Sequence, residues 1–288
     1  MSYAWIPGEP PATFLTRVAE TQLRKALAPL EGEEMPSPDE IHDIRKRLKK
    51  LRGLLRLFRG AAPFYAEENA AYRDAARILA PLRDAAAVLE SYERLRAAGL
   101  IDAEATRPFR EGLEAAQAEA ETGGEAPGRR DEVRLRLEAA LGRVADWELT
   151  EDGWGAVAPG LTETYRRGRK GLKAAESREG EALHDWRKRV KYHWYHARLL
   201  SPVWPEALAP HVAAASALSD LLGDRHDLDV LAAALPGGLE SAAEEGLREA
   251  LCTEARRLED AAFAIGQKLY AERPKALARR WGALFRLA

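Results

Sequence analysis

The segment IHDIRKRLKKLRGLLRLF at residues 41–58 returns in altered form as LHDWRKRVKYHWYHARLL at residues 183–200. The two copies lie 142 residues apart, and the same offset aligns positions outside them. The aligned pairs include His42/His184, Asp43/Asp185, Arg45/Arg187, Lys46/Lys188, Arg47/Arg189, Lys49/Lys191, Arg56/Arg198, Arg24/Arg166, Leu79/Leu221 and Arg83/Arg225. Helical composition alone does not produce one shared offset over about 65 residues, so we interpret the chain as a tandem duplication.

The sequence predicts an all-α fold. Alternating β-branched runs are nearly absent, while Ala, Leu, Arg and Glu recur at helical spacing in its 288 residues. Ser37, Pro38 and Glu40 form a capping-box signature, which predicts a helix from there to about Arg59. Breaks are predicted at 31–38, 122–128, 151–160 and 236–238, and at Pro63, Pro81, Gly99, Pro202, Pro205 and Pro274. We therefore expect about six helices on each side of residue 150, forming two pseudo-symmetric helical bundles.

Each copy of the repeated segment divides into two faces at about 100° per residue. One face is a basic stripe, with an apolar face opposite that would pack into a bundle core, such as Ile44, Leu48 and Leu51 in the first copy and Trp186 and Val190 in the second. The first stripe contains His42, Arg45, Lys46, Lys49, Gly53 and Arg56. The second contains His184, Arg187, Lys188, Lys191, Tyr195 and Arg198.

The signs of the charges indicate a polyanionic ligand. Residues 41–59 carry eight Lys or Arg against one Asp, although the formal net charge of the whole chain is only −2. A solvated face normally mixes the two signs, since like charges at helical spacing cost a few tenths of a kcal/mol per pair. The compensating acids lie on later segments, at Glu111, Glu114, Glu119, Glu121, Glu125, Glu240, Glu244, Glu245 and Glu249. Of the 44 basic residues 34 are Arg, whose planar fork can hold two phosphate oxygens.

The histidines divide into two groups. His42 and His184 begin the two basic segments, where neighbouring cations and the helix dipole oppose protonation. A neutral imidazole can donate to a phosphate oxygen, although a purely structural polar role remains an alternative. His193 falls on the buried face, and the sequence identifies no partner for His196, His211 or His226.

A rival site is SDLLGDRHDLDVL at residues 219–231, whose carboxylates and histidine could bind a divalent metal. The same residues are also typical of a helix-to-helix turn with an Asp N-cap and a salt-bridged Arg225. The chain has no phosphate-binding glycine loop, zinc-protease motif or recognisable nucleophile. We therefore predict no catalytic residue, no metal and no cofactor. The one cysteine, Cys252, is expected to be small, buried and unpaired, as in a reducing cytosol, and no targeting or membrane segment is seen.

The motifs HDIRKRLKKLR and HDWRKRVKYHW, the companions LRDAAAVL and GDRHDLDVL, and the linking YRRGRK together resemble the CHAD family, the conserved-histidine α-helical domain. The resemblance implies one domain over 1–288, with repeats at 11–148 and 153–288, that binds inorganic polyphosphate in a basic central groove. It also implies that the protein can associate with polyphosphate granules, while the single cysteine and the lack of a targeting or membrane segment predict a cytoplasmic protein. The binding residues carried over by position are His42, Arg45, Lys46, Lys49, Arg56, His184, Arg187, Lys188, Lys191 and Arg198, joined by Arg24, Arg166, Arg167, Arg169 and Lys170.

Two departures and two alternatives accompany this interpretation. Tyr192 and Trp194 stand where the first copy has Lys50 and Arg52, so the halves are expected to hold the ligand unequally. The first half also lacks the acidic residues that the segment HDLD supplies at residues 226–229 of the second half.

One alternative function is nucleic-acid binding, for which Tyr195 is the aromatic residue on a basic stripe. The other is metal-dependent polyphosphate hydrolysis by the acids Asp220, Asp224, Asp227 and Asp229.

Overall fold

The computed structural model describes residues 3–32, 34–122, 126–235 and 241–288. These ranges contain eleven α-helices, three one-turn 3₁₀ helices and no strand, so the all-α prediction is confirmed. The first half contains α1 Pro11–Leu27, α2 Pro38–Leu57, α3 Tyr65–Ile78, α4 Pro81–Ala97, α5 Arg107–Thr122 and α6 Ala126–Arg143. The second half contains α7 Gly153–Ala175, α8 Gly180–Leu200, α9 Pro205–Ala233, α10 Ser241–Leu269 and α11 Pro274–Phe285. The 3₁₀ helices span Ala28–Leu30, Val144–Asp146 and Ser201–Val203.

Some predicted features lie outside the described residues. These are the break at 236–238, residues 123–125 of the break at 122–128, and the acids Glu125 and Glu240. The side chains of Glu121 and Arg83 are also not among those that the structure describes.

The start of α2 has the predicted local structure. The backbone N–H of Glu40 donates to the Ser37 hydroxyl at 3.3 Å, and the Glu40 carboxylate accepts from the Ser37 backbone N–H at 2.8 Å. Pro38 occupies the first turn, where its missing N–H has no helical partner to lose. The helix ends at Leu57, two residues before the expected end at Arg59.

The helix bounds repeat at the predicted offset. α7 begins 142 residues after α1 (153 − 11), and α8 begins 142 residues after α2 (180 − 38). Under the same offset, the single helix α9 corresponds to the two helices α3 and α4 of the first half. Gly223 stands at the position equivalent to Pro81, the residue at which α4 begins. Within the described residues the second half therefore has five helices rather than about six. The repeated bounds support the tandem duplication.

The predicted break at 151–160 is mostly wrong, because α7 begins at Gly153 and continues through Pro159. Proline removes one backbone donor near the start of the helix, and its ring packs against Gly60. A Cβ on the next residue, Gly160, would overlap the backbone carbonyls of Arg56 and Leu57. This glycine therefore allows α7 to approach the end of α2 closely.

One main core joins the two halves. It contains the predicted apolar faces of α2 and α8, and Ile44, Leu48, Leu51, Trp186 and Val190 are fully buried. A second apolar cluster packs α4 and α5 against α9 and α10, with Tyr92 and Leu231 at its centre. The predicted bundles thus share a continuous interior, and the hairpin of α4 and α5 attaches the first half to the second.

The repeated helices α2 and α8 touch at Gly53 and Tyr195. A Cβ on Gly53 would lie 2.8 Å from Cδ2 of Tyr195, and Nε2 of His196 lies 2.9 Å from the Gly53 carbonyl oxygen. Gly53 and Tyr195 are equivalent under the 142-residue offset. When a twofold axis relates two repeats, equivalent residues of the two repeats meet on that axis. The contact between Gly53 and Tyr195 therefore supports a pseudo-symmetric arrangement.

Two expectations about exposure are wrong. Tyr195 is only 1% exposed, because it fills the space left by Gly53 rather than facing solvent on the basic stripe. Cys252 is exposed on α10, since the buried face of this helix is formed by neighbours such as Leu251 and Ala255.

In the described ranges no helix has the length and hydrophobicity needed to cross a membrane.

Replacing Gly160 with Ala should destabilise the protein by more than about 3 kcal/mol, because the new methyl group would collide with backbone that cannot rotate away. Gly223→Ala is the matched control, since no atom lies within 4 Å of its Cβ position and alanine favours the helix by about 0.5–1 kcal/mol. Urea unfolding of both variants measures the difference. Similar stabilities for the two variants would contradict the close contact of α7 with α2.

Candidate functional site

Cations from both predicted stripes lie together where α2 meets α8. The positive charges of Arg45, Arg187 and Lys191 act on the Lys49 ammonium, and those of Arg187, Lys46 and Arg198 act on Lys191. We call these six residues the cation cluster: Arg45, Lys46, Lys49, Arg187, Lys191 and Arg198. Their proximity results from the Gly53–Tyr195 contact, which brings the two helices together along their basic faces.

Desolvation and mutual repulsion lower the pKa of two lysines in the cluster. Desolvation, followed by repulsion from Arg45, Arg187 and Lys191, lowers the pKa of Lys49 to about 8. The Lys49 side chain is exposed, and the desolvation arises from the protein atoms that surround it on the side of α8. Burial is also the main cause that lowers the pKa of Lys191, although the negative charge of Asp220 opposes it. A bound polyanion would relieve this repulsion.

Lys50 is a further cation that the sequence did not select. It is 6% exposed, its Nζ lies 5.2 Å from the centroid of the Tyr3 ring, and the Tyr3 hydroxyl donates to the Lys50 carbonyl oxygen at 2.8 Å. Desolvation and the charges of Arg47 and Arg198 lower its pKa to about 8. Lys50 lies off the predicted stripe, and the N-terminal segment and α8 bring its neighbours to it.

A second group of arginines lies at the other end of α2. Arg56 donates to the Tyr65 hydroxyl at 2.8 Å, and its guanidinium carbon lies 4.3 Å from the centroid of the Tyr192 ring. Burial lowers the pKa of Arg189, and the charges of Arg167 and Arg56 add to this effect. We call Arg56, Arg167 and Arg189 the arginine flank. The sequence missed Arg189 because it lies away from the stripe of α8.

Acids of α9 lie beside the cation cluster, and an arginine from α4 holds two of them. Arg94 donates to Asp224 at 2.5 Å and to Asp227 at 3.1 Å. These carboxylates are therefore shared between Arg94 and the cluster, where their charges also act on Arg187. Arg45 donates to the Ala76 carbonyl at 2.7 Å, which ties it to the end of α3.

The predicted turn within residues 219–231 is wrong, because this stretch lies inside the continuous helix α9. Gly223 does not interrupt the helix, since packing on α8 and α10 outweighs its low propensity. The predicted salt bridge of Arg225 is present, with Asp229 and Glu259 as its partners. Among the residues that the structure describes, no group of acids, histidines or cysteines could hold a metal ion.

The histidines have partners that no sequence pattern indicated. His184 packs its ring 4.6 Å from that of His226, and burial, more than the nearby Lys188 and Arg187, lowers its pKa. His193 is buried as predicted, and its Nε2 lies 2.7 Å from Nε2 of His211. Burial lowers the pKa of His211 to about 4, which keeps this pair neutral.

The remaining predicted binding residues differ in their surroundings. His42 is exposed in the first turns of α2, and Lys188 donates to Asp185 at 3.1 Å. Glu163 holds both Arg166 and Arg167, while Glu20 lies 4.0 Å from Arg24 on α1. Arg169 and Lys170 are exposed on α7. None of these seven belongs to the cation cluster as defined above.

Comparison with known proteins identifies relatives of the chain. The CHAD domain family profile matches residues 17–236. PptA from Streptomyces chartreusis has a similar structure, with a TM-score of 0.64 and 16% identity over 92% of this chain and all of that one. The CHAD domain from the plant Ricinus communis gives a TM-score of 0.59 and 21% identity over 89% of this chain and 90% of that one. No curated protein matches the sequence.

Replacing Lys50 with Met should raise the free energy of unfolding at pH 7 by about 1–3 kcal/mol, because Met fills similar space without a desolvated charge. The destabilisation by lysine is complete below its folded-state pKa of about 8. It disappears as the pH approaches the unfolded-state pKa of about 10.4, so the two proteins should converge near pH 10. Urea unfolding at pH 7 and pH 10 measures both effects.

Lys268→Met is the control, since Lys268 is exposed on α10. It should change stability by less than about 0.5 kcal/mol at either pH. A Lys50→Met protein that is no more stable than the parent at pH 7 would contradict the destabilising role of this ammonium.

Proposed function

Because the chain belongs to the CHAD domain family, we propose that it binds inorganic polyphosphate along a groove lined by the cation cluster. Polyphosphate binding is a known attribute of this family. The observation that carries the proposal is the meeting of six cations from two helices, with a lysine pKa lowered to about 8 by desolvation and mutual repulsion. The nearby carboxylates leave the net effect on these lysines a lowered pKa, and a bound polyanion would supply further negative charge.

The physics of binding follows from the ligand's repeated charge. Each phosphate that contacts a Lys or Arg releases condensed counterions, so affinity should fall steeply as salt increases, by analogy with nucleic acids. Arginine contributes paired hydrogen bonds, and lysine contributes point charges that suit a chain of variable conformation. Specificity would arise from charge density and groove width, because polyphosphate has no bases to recognise.

The proposed role is binding rather than catalysis. The CHAD family is generally a non-catalytic binding domain. Arg94 engages Asp224 and Asp227, two of the acids that the hydrolase alternative would need, within the described structure. We further propose that the protein is cytoplasmic and that it associates with polyphosphate granules, the latter because the family resemblance implies it.

The Lys49→Ala, Lys191→Ala double variant should bind polyphosphate about 10- to 100-fold more weakly. These two residues test binding better than Arg45, which also supports the end of α3 through the Ala76 carbonyl. The slope of log affinity against log salt should become shallower by about 1.4, for two lost contacts. Fluorescence anisotropy with labelled polyphosphate measures both quantities.

A matched control is Lys268→Ala with Arg279→Ala, which removes the same charge from exposed positions on α10 and α11. It should leave the affinity within about twofold of the parent value. Urea unfolding of both double variants checks that the fold is retained. Equal binding by parent and the Lys49/Lys191 variant would contradict the groove.

Competition distinguishes polyphosphate from nucleic acid. At matched phosphate concentration, long-chain polyphosphate should displace the labelled ligand at about one tenth of the concentration needed for RNA or single-stranded DNA. The physical reason is that Tyr195, the aromatic expected to stack on bases, is buried at the helix contact. Stronger competition by either nucleic acid would favour the alternative function.

A further inference from the structure

The basic segment YRRGRKGLK at residues 165–173 sends its side chains to two sides of α7. Arg167 belongs to the arginine flank, beside Arg189 of α8. Arg169 and Lys173 instead line a concave site of about 970 Å³ between α7 and the start of α11. The groove proposed above therefore does not account for this second side.

This concave site, which we call the α7–α11 site, is rich in cations. Arg273 and Lys275 face it from the start of α11, opposite Arg169 and Lys173 on α7. All four are exposed, and none forms a salt bridge with another described residue. Glu176 is the acid at its edge. The first backbone amides of α11 add partial positive charge, since no side chain caps this helix.

The floor of the α7–α11 site suits a flexible ligand. Leu172 contributes apolar surface above the buried Tyr270, and the methylene stems of the lysines and arginines add to it. Charged tips on long stems can follow an anionic chain in several conformations, whereas they select weakly among rigid shapes. The site is therefore better suited to holding a chain by its charge than to enclosing a small molecule.

A second concave site connects the α7–α11 site to the arginine flank. It measures about 530 Å³, lies between α7 and α8, and contains Arg167 and Arg189. Arg166 and Lys170 line both sites, so the two are continuous across α7. The acids beside this connection are Glu163, which holds Arg166 and Arg167, and the lining residues Glu179, Glu181 and Asp185.

We propose that this cationic track, running from the arginine flank across α7 to the α7–α11 site, binds a second stretch of the polyphosphate chain that occupies the groove. The inference rests on the proposed function and extends it to chain-length selectivity. A chain long enough to leave the groove and cross α7 gains a second set of contacts at a high effective concentration. A short chain fills the groove only, and its affinity is independent of the track.

The test reverses three charges in the α7–α11 site, as Lys173→Glu, Arg273→Glu and Lys275→Glu. Binding is measured for chains of about 100 phosphates and about 10 phosphates at the same salt concentration. We expect affinity for the long chain to fall about tenfold and its salt slope to become shallower by about 2, while affinity for the short chain changes less than about twofold.

A matched triple variant separates local contacts from the overall change in charge. Arg256→Glu, Arg279→Glu and Arg286→Glu make the same net change at exposed positions that do not line the track. This control should bind both chain lengths like the parent protein, and urea unfolding verifies both triple variants.

Three outcomes would overturn the inference. One is equal weakening for both chain lengths, and another is unchanged long-chain binding by the track variant. In either case short-chain binding by the parent would leave the proposed function standing. The third is failure of the parent protein to bind polyphosphate of either length, which would remove the proposed function as well.

Discussion

The arrangement of the cation cluster depends on the contact between Gly53 and Tyr195. Two helices with basic faces repel each other, and only contacts stronger than this repulsion hold them together. Here a glycine without a side chain receives a tyrosine ring, and His196 binds the Gly53 carbonyl. The main core then continues through both halves on either side of this contact. Burial of apolar surface thus offsets the electrostatic cost of assembling the cation cluster.

Neighbouring groups moderate the positive charge of the two helices without cancelling it. Aromatic rings stabilise two of these cations by electrostatic attraction, with Arg56 beside Tyr192 and Lys191 beside Trp194. Tyr3 does the same for Lys50, although it comes from the N-terminal segment and has no counterpart in the repeated helices. The two halves consequently surround their cations with different partners, as the aromatic substitutions in the second copy indicated.

The acids near the cluster show how charge can be kept available for a ligand. Asp224 and Asp227 could pair directly with Arg187, but Arg94 reaches them from α4. The second apolar cluster fixes α4 against α9 and so maintains this bridge. A hairpin that extends from the first half therefore influences the electrostatics of a helix in the second half, a coupling that the 142-residue repeat does not contain.

The sequence by itself determined the helical fold, the capped start of α2, the apolar faces of α2 and α8, and the offset that relates their bounds. These features depend on local periodicity and end signals, which each segment carries within its own residues. Only the tertiary structure decided that Tyr195 is buried, that α9 continues through Gly223, and that Lys50 and Arg189 join the basic surface. It also decided the partners of His196, His211 and His226. These outcomes depend on residues far away in the chain, because burial and electrostatic environment are set by whatever packs against a side chain and not by its own helix.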